Sequence, residues 1–335
     1  MIDRLMILMY FHNMNIESPK NNPGAGKKTE KAAKEIESGI KKSEGGEIEI
    51  SWRKFSSESA KESEKTGRAV IFLPGWAENA GDKSLDGISQ AFAEADSSST
   101  YLISTSPEKP LKDPLETEAM AVGDFIKENK IKEIVIAGYS KGGDKAINLA
   151  NLLQENNTEK IKIKGLVLMG PVGLYNQKST ELTKNFVKDI INTPKTKDSA
   201  SIAIDSIFDI LEEVSRAGIK YPKIFLEDIK AMAKMNEKTS KIKAPVVLIQ
   251  GAKDLVSDPK RVIPPEIIKE EGKGRGDNYM DPREEYLKNN LFQNSPYVKM
   301  VIAEKMGHHS LPFFRPDQIA RVAIGLLERY YRNNR

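Results

Sequence analysis

Short apolar runs alternate along this chain with segments of helical periodicity, and this alternation restricts the possible folds more than any other feature. Glu47–Phe55 alternates like a half-exposed strand, and the later runs are continuous and β-branched, as in strands covered on both faces. These later runs are Arg68–Leu73, Tyr101–Ser104, Glu133–Ala137, Gly165–Met169, Val246–Ile249 and Val298–Ala303. The helical segments are Ser84–Ala95, Pro114–Asn129, Lys141–Gln154 and Gln318–Tyr331. The pattern predicts an α/β fold with a mainly parallel central sheet and helices on both faces.

The alternation is interrupted once, by a long segment without any strand pattern. Roughly residues 174–241 contain three amphipathic helical patterns instead, at Thr180–Asn192, Ser199–Ala217 and Pro222–Lys238. Open α/β sheets bind ligands at the carboxyl ends of their strands. We therefore expect this helical insert to form a lid over that edge of the sheet.

The beginning of the chain has a different composition. Residues 18–46 are mostly Lys, Glu, Gly, Asn and Ser, and they contain too few apolar side chains to offset the entropy lost on ordering. We therefore predict a disordered tail at residues 1–46 and a folded domain at residues 47–335. Deletion of residues 1–45 is then expected to leave the melting temperature nearly unchanged.

Within the predicted tail, Leu5–Phe11 is an isolated apolar run. It is much shorter than the ~20 residues that a membrane span requires, and it lacks a strongly basic leader. A start-of-chain artefact or a loosely docked strand is favoured over a signal peptide. No other segment has the length and apolar character of a membrane span, so a cytoplasmic protein is expected.

Composition excludes several classes of function. The net charge of +4 arises from 52 basic and 48 acidic side chains spread along the chain, which gives no basic patch for nucleic acid. Cysteine is absent, so disulfides, thiolate metal sites and cysteine nucleophiles are excluded. His308 and His309 are then the only clustered soft ligands, and no metal is expected.

The sequence GYSKG at residues 138–142 carries the strongest chemical signal. It fits the pattern G-x-S-x-G, in which a strained turn between a strand and a helix presents the serine hydroxyl. The predicted strand ends at Ala137 and the predicted helix follows the serine, as this motif requires. Ser140 is therefore the candidate nucleophile.

A serine nucleophile requires a base, and the base requires a carboxylate that orients it. Of the three histidines, His12 lies in the predicted tail, whereas His308 and His309 follow the last predicted strand. His308 is favoured because it directly follows Gly307, although His309 stays an alternative. Asp254 directly follows Val246–Ile249 and is the favoured carboxylate. The alternative, Asp258, precedes a proline and is more typical of a turn.

The oxyanion formed on attack requires preorganised backbone N–H donors. One is expected from Lys141, which follows the nucleophile, and the other from Trp76 in the loop after Leu73. The Lys141 side chain could favour acidic substrates beside the site, but an orientation towards solvent is the favoured interpretation.

The order Ser140, Asp254 and His308, each after a strand, resembles the α/β-hydrolase superfamily, in particular its lidded serine esterases and lipases. The resemblance extends from Glu47 to about Tyr331, and it implies no cofactor and hydrolysis through an acyl-enzyme. Pro74-Gly75 stands where the family often has His-Gly, which weakens any assignment to a subfamily.

The favoured function is hydrolysis of a carboxylic ester or thioester of a small-molecule acyl substrate. With the same three side chains, acyl transfer or cleavage of an amide or C–C bond is an alternative. A binding protein that retained the scaffold without catalysis is a third possibility, because a fold does not fix a function. The sequence indicates neither the length of the acyl chain nor the oligomeric state.

Overall fold

The protein is described by a computed structural model that covers residues 34–335, apart from residues 44, 77, 156–160, 193–221, 269–280, 305 and 314. Its strands are β1 (Lys34–Lys42), β2 (Ile48–Ser56), β3 (Arg68–Leu73), β4 (Ser99–Pro107), β5 (Glu133–Tyr139), β6 (Lys162–Met169), β7 (Val246–Gly251) and β8 (Val298–Ala303). The described α-helices are α1 (Lys61–Thr66), α2 (Asp86–Ala95), α3 (Pro114–Glu128), α4 (Lys141–Glu155), α5 (Ser179–Asn192), α6 (Pro222–Met232), α7 (Pro259–Val262), α8 (Pro265–Ile268), α9 (Pro282–Asn290) and α10 (Pro316–Asn333). Within these residues, no helix combines the length and apolar character needed to cross a membrane.

The eight strands form one sheet in the order β1-β2-β4-β3-β5-β6-β7-β8. The β1–β2 and β2–β4 pairs are antiparallel, and every pair from β4 onward is parallel. The predicted mainly parallel sheet is confirmed. The parallel strands end at one common edge, so the loops that follow β3, β5, β7 and β8 meet there.

Helices cover both faces of the sheet, because alternate residues of its central strands point to opposite sides. In β5, Ile134 and Ile136 pack in a core with side chains of α3, α4 and α9. Val135 and Ala137 pack instead in a second core with side chains of α2 and α10. Burial on both faces explains why the central strands are continuous apolar runs in the sequence.

The predicted helical insert between β6 and β7 contains two described helices. Of the three predicted patterns, the first corresponds to α5. The second, Ser199–Ala217, lies outside the described residues. The third begins at Pro222 as predicted but ends as α6 at Met232, and Lys238 lies in a 3₁₀ turn at Glu237–Lys241. Leu182 and Phe186 of α5 pack against Ile229 and Met232 of α6.

Strand β1 corrects the last part of the disordered tail predicted at residues 1–46. Residues 1–33 of that predicted tail lie outside the described residues. Residues 34–42 pair with residues 49–56 of β2, with an irregularity between Glu35 and Glu37. The sequence gives little sign of this strand, because Ile36 and Ile40 are exposed and most of the other side chains are charged. Pairing through backbone hydrogen bonds does not require apolar side chains.

Contacts at the end of β1 add to this pairing. Gly39 faces the Trp52 ring so closely that an added Cβ would lie 3.0 Å from it. The Lys41 ammonium binds Glu128 and lies 5.1 Å from the centre of the Phe125 ring. The strand is therefore attached both to β2 and to α3.

We expect removal of β1 to destabilise the domain. A chain that begins at Ser43 should melt a few degrees below a chain that begins at Lys34, because about 1 kcal/mol corresponds to a shift of roughly 2–4 °C in a domain of this size. Thermal unfolding followed by circular dichroism would measure the difference. Equal melting temperatures would show that β1 contributes nothing to stability.

Candidate active site

The turn between β5 and α4 presents the Ser140 hydroxyl at the carboxyl edge of the sheet. Ser140 has a φ of 53°, in the left-handed region that non-glycine residues rarely adopt. A Cβ on Gly138 would lie 2.2 Å from the Gly142 carbonyl oxygen, and one on Gly142 would lie 2.1 Å from the Leu73 carbonyl oxygen. The two glycines thus permit the close packing that holds this turn in place.

The structure brings the three candidate catalytic side chains together in one hydrogen-bonded chain. The distance between Ser140 Oγ and His308 Nε2 is 2.8 Å, and that between His308 Nδ1 and Asp254 Oδ2 is 2.9 Å. All three residues are buried. A neutral imidazole that donates from Nδ1 to Asp254 has its Nε2 lone pair directed at the serine hydroxyl, as a general base requires.

Asp254 is fixed in turn by the loop that follows β7. Its Oδ1 atom accepts the backbone N–H groups of Val256 (2.8 Å) and Ser257 (2.7 Å), which leaves Oδ2 for the histidine. Burial alone would lower the pKa of His308, but the adjacent Asp254 carboxylate and its hydrogen bond raise that pKa above its ordinary value.

Asp258 and His309, the two alternatives that the sequence left open, have contacts different from those of Asp254 and His308. Asp258 caps α7, where its side chain accepts the backbone N–H of Lys260 at 3.0 Å. His309 is buried against Phe186 with the ring centres 5.4 Å apart, and its Nε2 atom has no hydrogen-bond partner among the described residues. Burial, with the neighbouring His308 next in importance, lowers the pKa of His309 to about 4.

The loop after β3 lies beside the nucleophile and is stabilised by Glu78. The Gly75 N–H donates to Glu78 Oε2 at 2.6 Å, whereas Glu78 Oε1 has no partner among the described residues. Burial raises the pKa of Glu78 to about 8. Trp76 follows in the same loop, and Lys141 occupies the first position of α4, where its N–H has no intrahelical acceptor.

The position of the Lys141 side chain contradicts the expectation that this side chain points to solvent. Its ammonium is buried and lies 2.7 Å from Glu118 Oε1 and 2.8 Å from Asp228 Oδ2. Glu118 belongs to α3 and Asp228 to α6, and Lys145 on the next turn of α4 lies 3.3 Å from Glu118 Oε2. These four residues form a buried ionic cluster. Burial alone would lower the pKa of Lys141, but the two carboxylates hold it well above its ordinary value.

Aromatic side chains of the insert lie beside the reactive groups. The Phe186 ring of α5 is centred 5.5 Å from the His308 ring. The Trp76 ring is centred 4.7 Å from Phe225 of α6 and 5.8 Å from Phe186. The insert therefore brings aromatic rings against His308 and Trp76.

Several buried carboxylates around the site were not anticipated from the sequence, namely Glu78, Glu118, Asp144, Asp189 and Asp228. Glu78 lies in a loop at the predicted catalytic edge, a position that could have drawn attention to it. The other four lie on helices, where acidic residues are most often exposed. Within the described part of the chain, no group of three or more His, Asp or Glu side chains could hold a metal ion.

Comparison with known proteins gives one partial family match and many structural matches. A family profile described as serine aminopeptidase, S33, matches residues 116–263, which is under half of the chain. No curated protein matches the sequence. Many solved structures share the fold.

Three solved structures with this fold illustrate its range. A bacterial membrane phospholipase A superposes with a TM-score of 0.57 at 16% identity, over 89% of this chain and 87% of its own. A thermophilic esterase from Thermogutta terrifontis gives 0.56 at 13% identity, over 88% and 99%. An N-acyl homoserine lactone degrading enzyme gives 0.57 at 14% identity, over 86% and 99%. At these identities the likeness shows the fold alone.

Replacing the two adjacent histidines separately would distinguish their roles. His308→Ala should lower kcat for an activated ester by several orders of magnitude, because it removes the group that contacts Ser140 Oγ. His309→Ala should cost at most about ten-fold, because this ring contacts Phe186 and not the serine. Steady-state kinetics with the melting temperature as control would test this, and the opposite ranking would identify His309 as the base.

The acid side of the pH profile should report His308. The neutral imidazole is lost as pH falls through the pKa of His308, and Asp254 raises this pKa. The midpoint of kcat/KM should therefore lie above the ordinary imidazole value of about 6.5. In Asp254→Asn the residual activity should have its midpoint at lower pH. A midpoint that did not move would show that Asp254 does not act on the base.

Proposed function

We propose that this chain is a serine hydrolase of the α/β-hydrolase superfamily and that it cleaves carboxylic esters or thioesters. The observation that carries the proposal is the chain of contacts from Ser140 Oγ through His308 to Asp254, at 2.8 and 2.9 Å. The strained backbone of Ser140 also supports the proposal, because residues in such sparsely populated conformations cluster at active sites.

In the proposed reaction, Ser140 Oγ attacks the acyl carbon while His308 Nε2 accepts the hydroxyl proton. The backbone N–H groups of Trp76 and Lys141 stabilise the negative oxygen of the tetrahedral intermediate. The intermediate then expels the alcohol or thiol, which takes the proton from His308, and an acyl-enzyme forms. Water then attacks the acyl carbon while His308 accepts its proton. The ester bond to Ser140 Oγ breaks, Ser140 takes the proton back from His308, and a carboxylic acid is released. Asp254 orients the imidazole throughout and stabilises its cation.

The aromatic rings beside His308 and Trp76 support a small-molecule substrate with an apolar acyl group. Trp76, Phe186 and Phe225 form an aromatic cluster on the side of the insert, and such walls favour hydrocarbon chains over charged groups. The names of the similar structures, a phospholipase A and an esterase, favour an ester bond.

We also propose that the insert of residues 174–241 serves as a lid. The contacts of Phe186 with His308, and of Asp228 with Trp76 and Lys141, support this role because they place α5 and α6 against the reactive groups. A cytoplasmic location stays a prediction from the sequence.

The match to the serine aminopeptidase profile favours a second candidate, cleavage of an amide bond by the same three side chains. A panel of p-nitrophenyl esters of increasing chain length, compared with aminoacyl p-nitroanilides, would distinguish the two. Higher kcat/KM for esters at every chain length would support the first candidate, and the reverse order would support the second.

Ser140→Ala should abolish ester hydrolysis and covalent labelling by a fluorophosphonate, because the chain contains no cysteine that could substitute. The fold should be kept, since the change removes one oxygen and leaves the backbone conformation as costly as before. Labelling followed by intact-mass spectrometry would measure this, with circular dichroism as the control. Labelling of a folded variant at the wild-type rate would contradict the assignment of the nucleophile.

A further inference from the structure

One carboxylate oxygen of α6 contacts the side chains of both residues proposed to stabilise the oxyanion. Asp228 Oδ2 accepts the indole N–H of Trp76 at 3.2 Å and lies 2.8 Å from the Lys141 ammonium. Trp76 and Lys141 are far apart in sequence, and the backbone N–H group of each is expected to face the same point beside Ser140.

From this bridge we propose that Asp228 is a positioning residue that holds the two oxyanion donors at the correct distance from Ser140. The inference rests on the proposed function, in which those two N–H groups bind the negative oxygen. Among the described residues, Asp228 makes no hydrogen bond or ion pair with Ser140 or His308. It acts through the two side chains that it bridges.

The Lys141 ammonium is fixed from two directions. Glu118 of α3 holds it at 2.7 Å on one side and Asp228 of α6 at 2.8 Å on the other. Glu118 also accepts the Thr105 hydroxyl of β4 at 2.5 Å, so its own position is fixed by the sheet. Because the Lys141 N–H begins α4, a side chain held between two helices restricts the orientation of this first turn.

Trp76 is fixed in a comparable way. Its indole N–H binds Asp228, its ring packs against Phe225 and Phe186, and the preceding Gly75 N–H donates to Glu78. Rotation of the Trp76 peptide would break at least one of these contacts. The Asp228 carboxylate therefore ties the loop after β3 to the beginning of α4.

The surrounding charges make this bridge sensitive to the charge of Asp228. The buried ionic cluster balances two ammonium groups, Lys141 and Lys145, against the carboxylates Glu118 and Asp228. Removal of one buried partner leaves an uncompensated charge. The free-energy cost of that charge is far larger than the net stabilisation that the intact ion pair provides. Neutralising Asp228 should therefore shift the Lys141 side chain towards Glu118. The orientation of the Lys141 backbone N–H would then be less restricted.

The proposal also assigns the insert a part in the chemistry. Because Asp228 belongs to α6, the bridge between the two donors exists only while α6 is seated on the domain. Movement of α6 away from the sheet would remove one restraint from each donor. Oxyanion stabilisation would thereby be coupled to the presence of the insert over the site.

The test compares Asp228→Asn with the matched control Glu227→Gln in the full chain. Glu227 is the preceding residue of α6, and its ion pair with Lys230 at 2.8 Å is exposed. Asparagine keeps the size of Asp228 and can still accept the indole N–H, but it cannot neutralise Lys141. Three quantities are measured for each: kcat and KM for a p-nitrophenyl ester, affinity for an arylboronic acid, and the melting temperature. The boronic acid forms a tetrahedral adduct with Ser140 whose oxygen occupies the oxyanion site.

We expect Asp228→Asn to lower kcat about 10–100-fold, less than the roughly 10²–10³-fold effect of deleting an oxyanion donor outright. KM should change less than about three-fold, and affinity for the boronic acid should fall in parallel with kcat/KM, because both report binding of the tetrahedral oxygen. Glu227→Gln should leave all these values unchanged. A wild-type kcat in folded Asp228→Asn, or a lower kcat with unaltered boronate affinity, would overturn the inference.

A second variant keeps the inference testable if Asp228→Asn does not fold. Trp76→Phe removes the indole N–H and keeps the backbone donor, so kcat and boronate affinity should fall together, by a smaller factor. Unchanged values would overturn the inference. The proposed function is judged separately on the wild-type chain, since absence of both boronate binding and fluorophosphonate labelling there would contradict the function itself.

Discussion

The rest of the site depends on one constrained turn at the end of β5. There the chain reverses from strand to helix with Ser140 at a φ of 53°, a conformation that costs on the order of 1–3 kcal/mol for a residue other than glycine. Contacts of Gly138 and Gly142 with neighbouring backbone enforce it, and β3 and β6 flank β5 on either side. Every other group of the site is positioned relative to this hydroxyl, because it projects at the edge where the parallel strands end.

The loops around the hydroxyl are held by buried carboxylates that accept backbone N–H groups. The pairs are Asp254 with Val256 and Ser257, Asp144 with Val172 and Gly173, Asp189 with Leu255 and His309, and Glu78 with Gly75. Loops lack the regular pairing of strands and helices, so their buried N–H groups must find other acceptors. Burial raises the pKa of Asp144 to about 7 and that of Glu78 to about 8, because it disfavours the ionised form of each carboxyl group.

The buried ionic cluster extends the same principle to the insert. A charge without a partner would be strongly unfavourable in this environment, so α6 can pack beside Lys141 because Asp228 brings a compensating carboxylate. The cluster adds little net stability, since burial offsets much of the attraction between the charges. Its main consequence is geometric, because it allows few alternative positions for α6, the loop after β3 and the beginning of α4.

Elements whose signal is local can be predicted from the sequence. It predicted β3 and β8 to the residue, the strand-turn-helix at Ser140, and the candidates His308 and Asp254, because burial on two faces and residues that follow strands leave a pattern in neighbouring positions. Which distant groups meet depends on the packing of the whole domain. Strand β1 is formed by backbone pairing with no apolar pattern of its own, and Lys141 is buried because Glu118 and Asp228 approach it from other helices. The energy of such contacts depends on long-range geometry, so no local pattern records it.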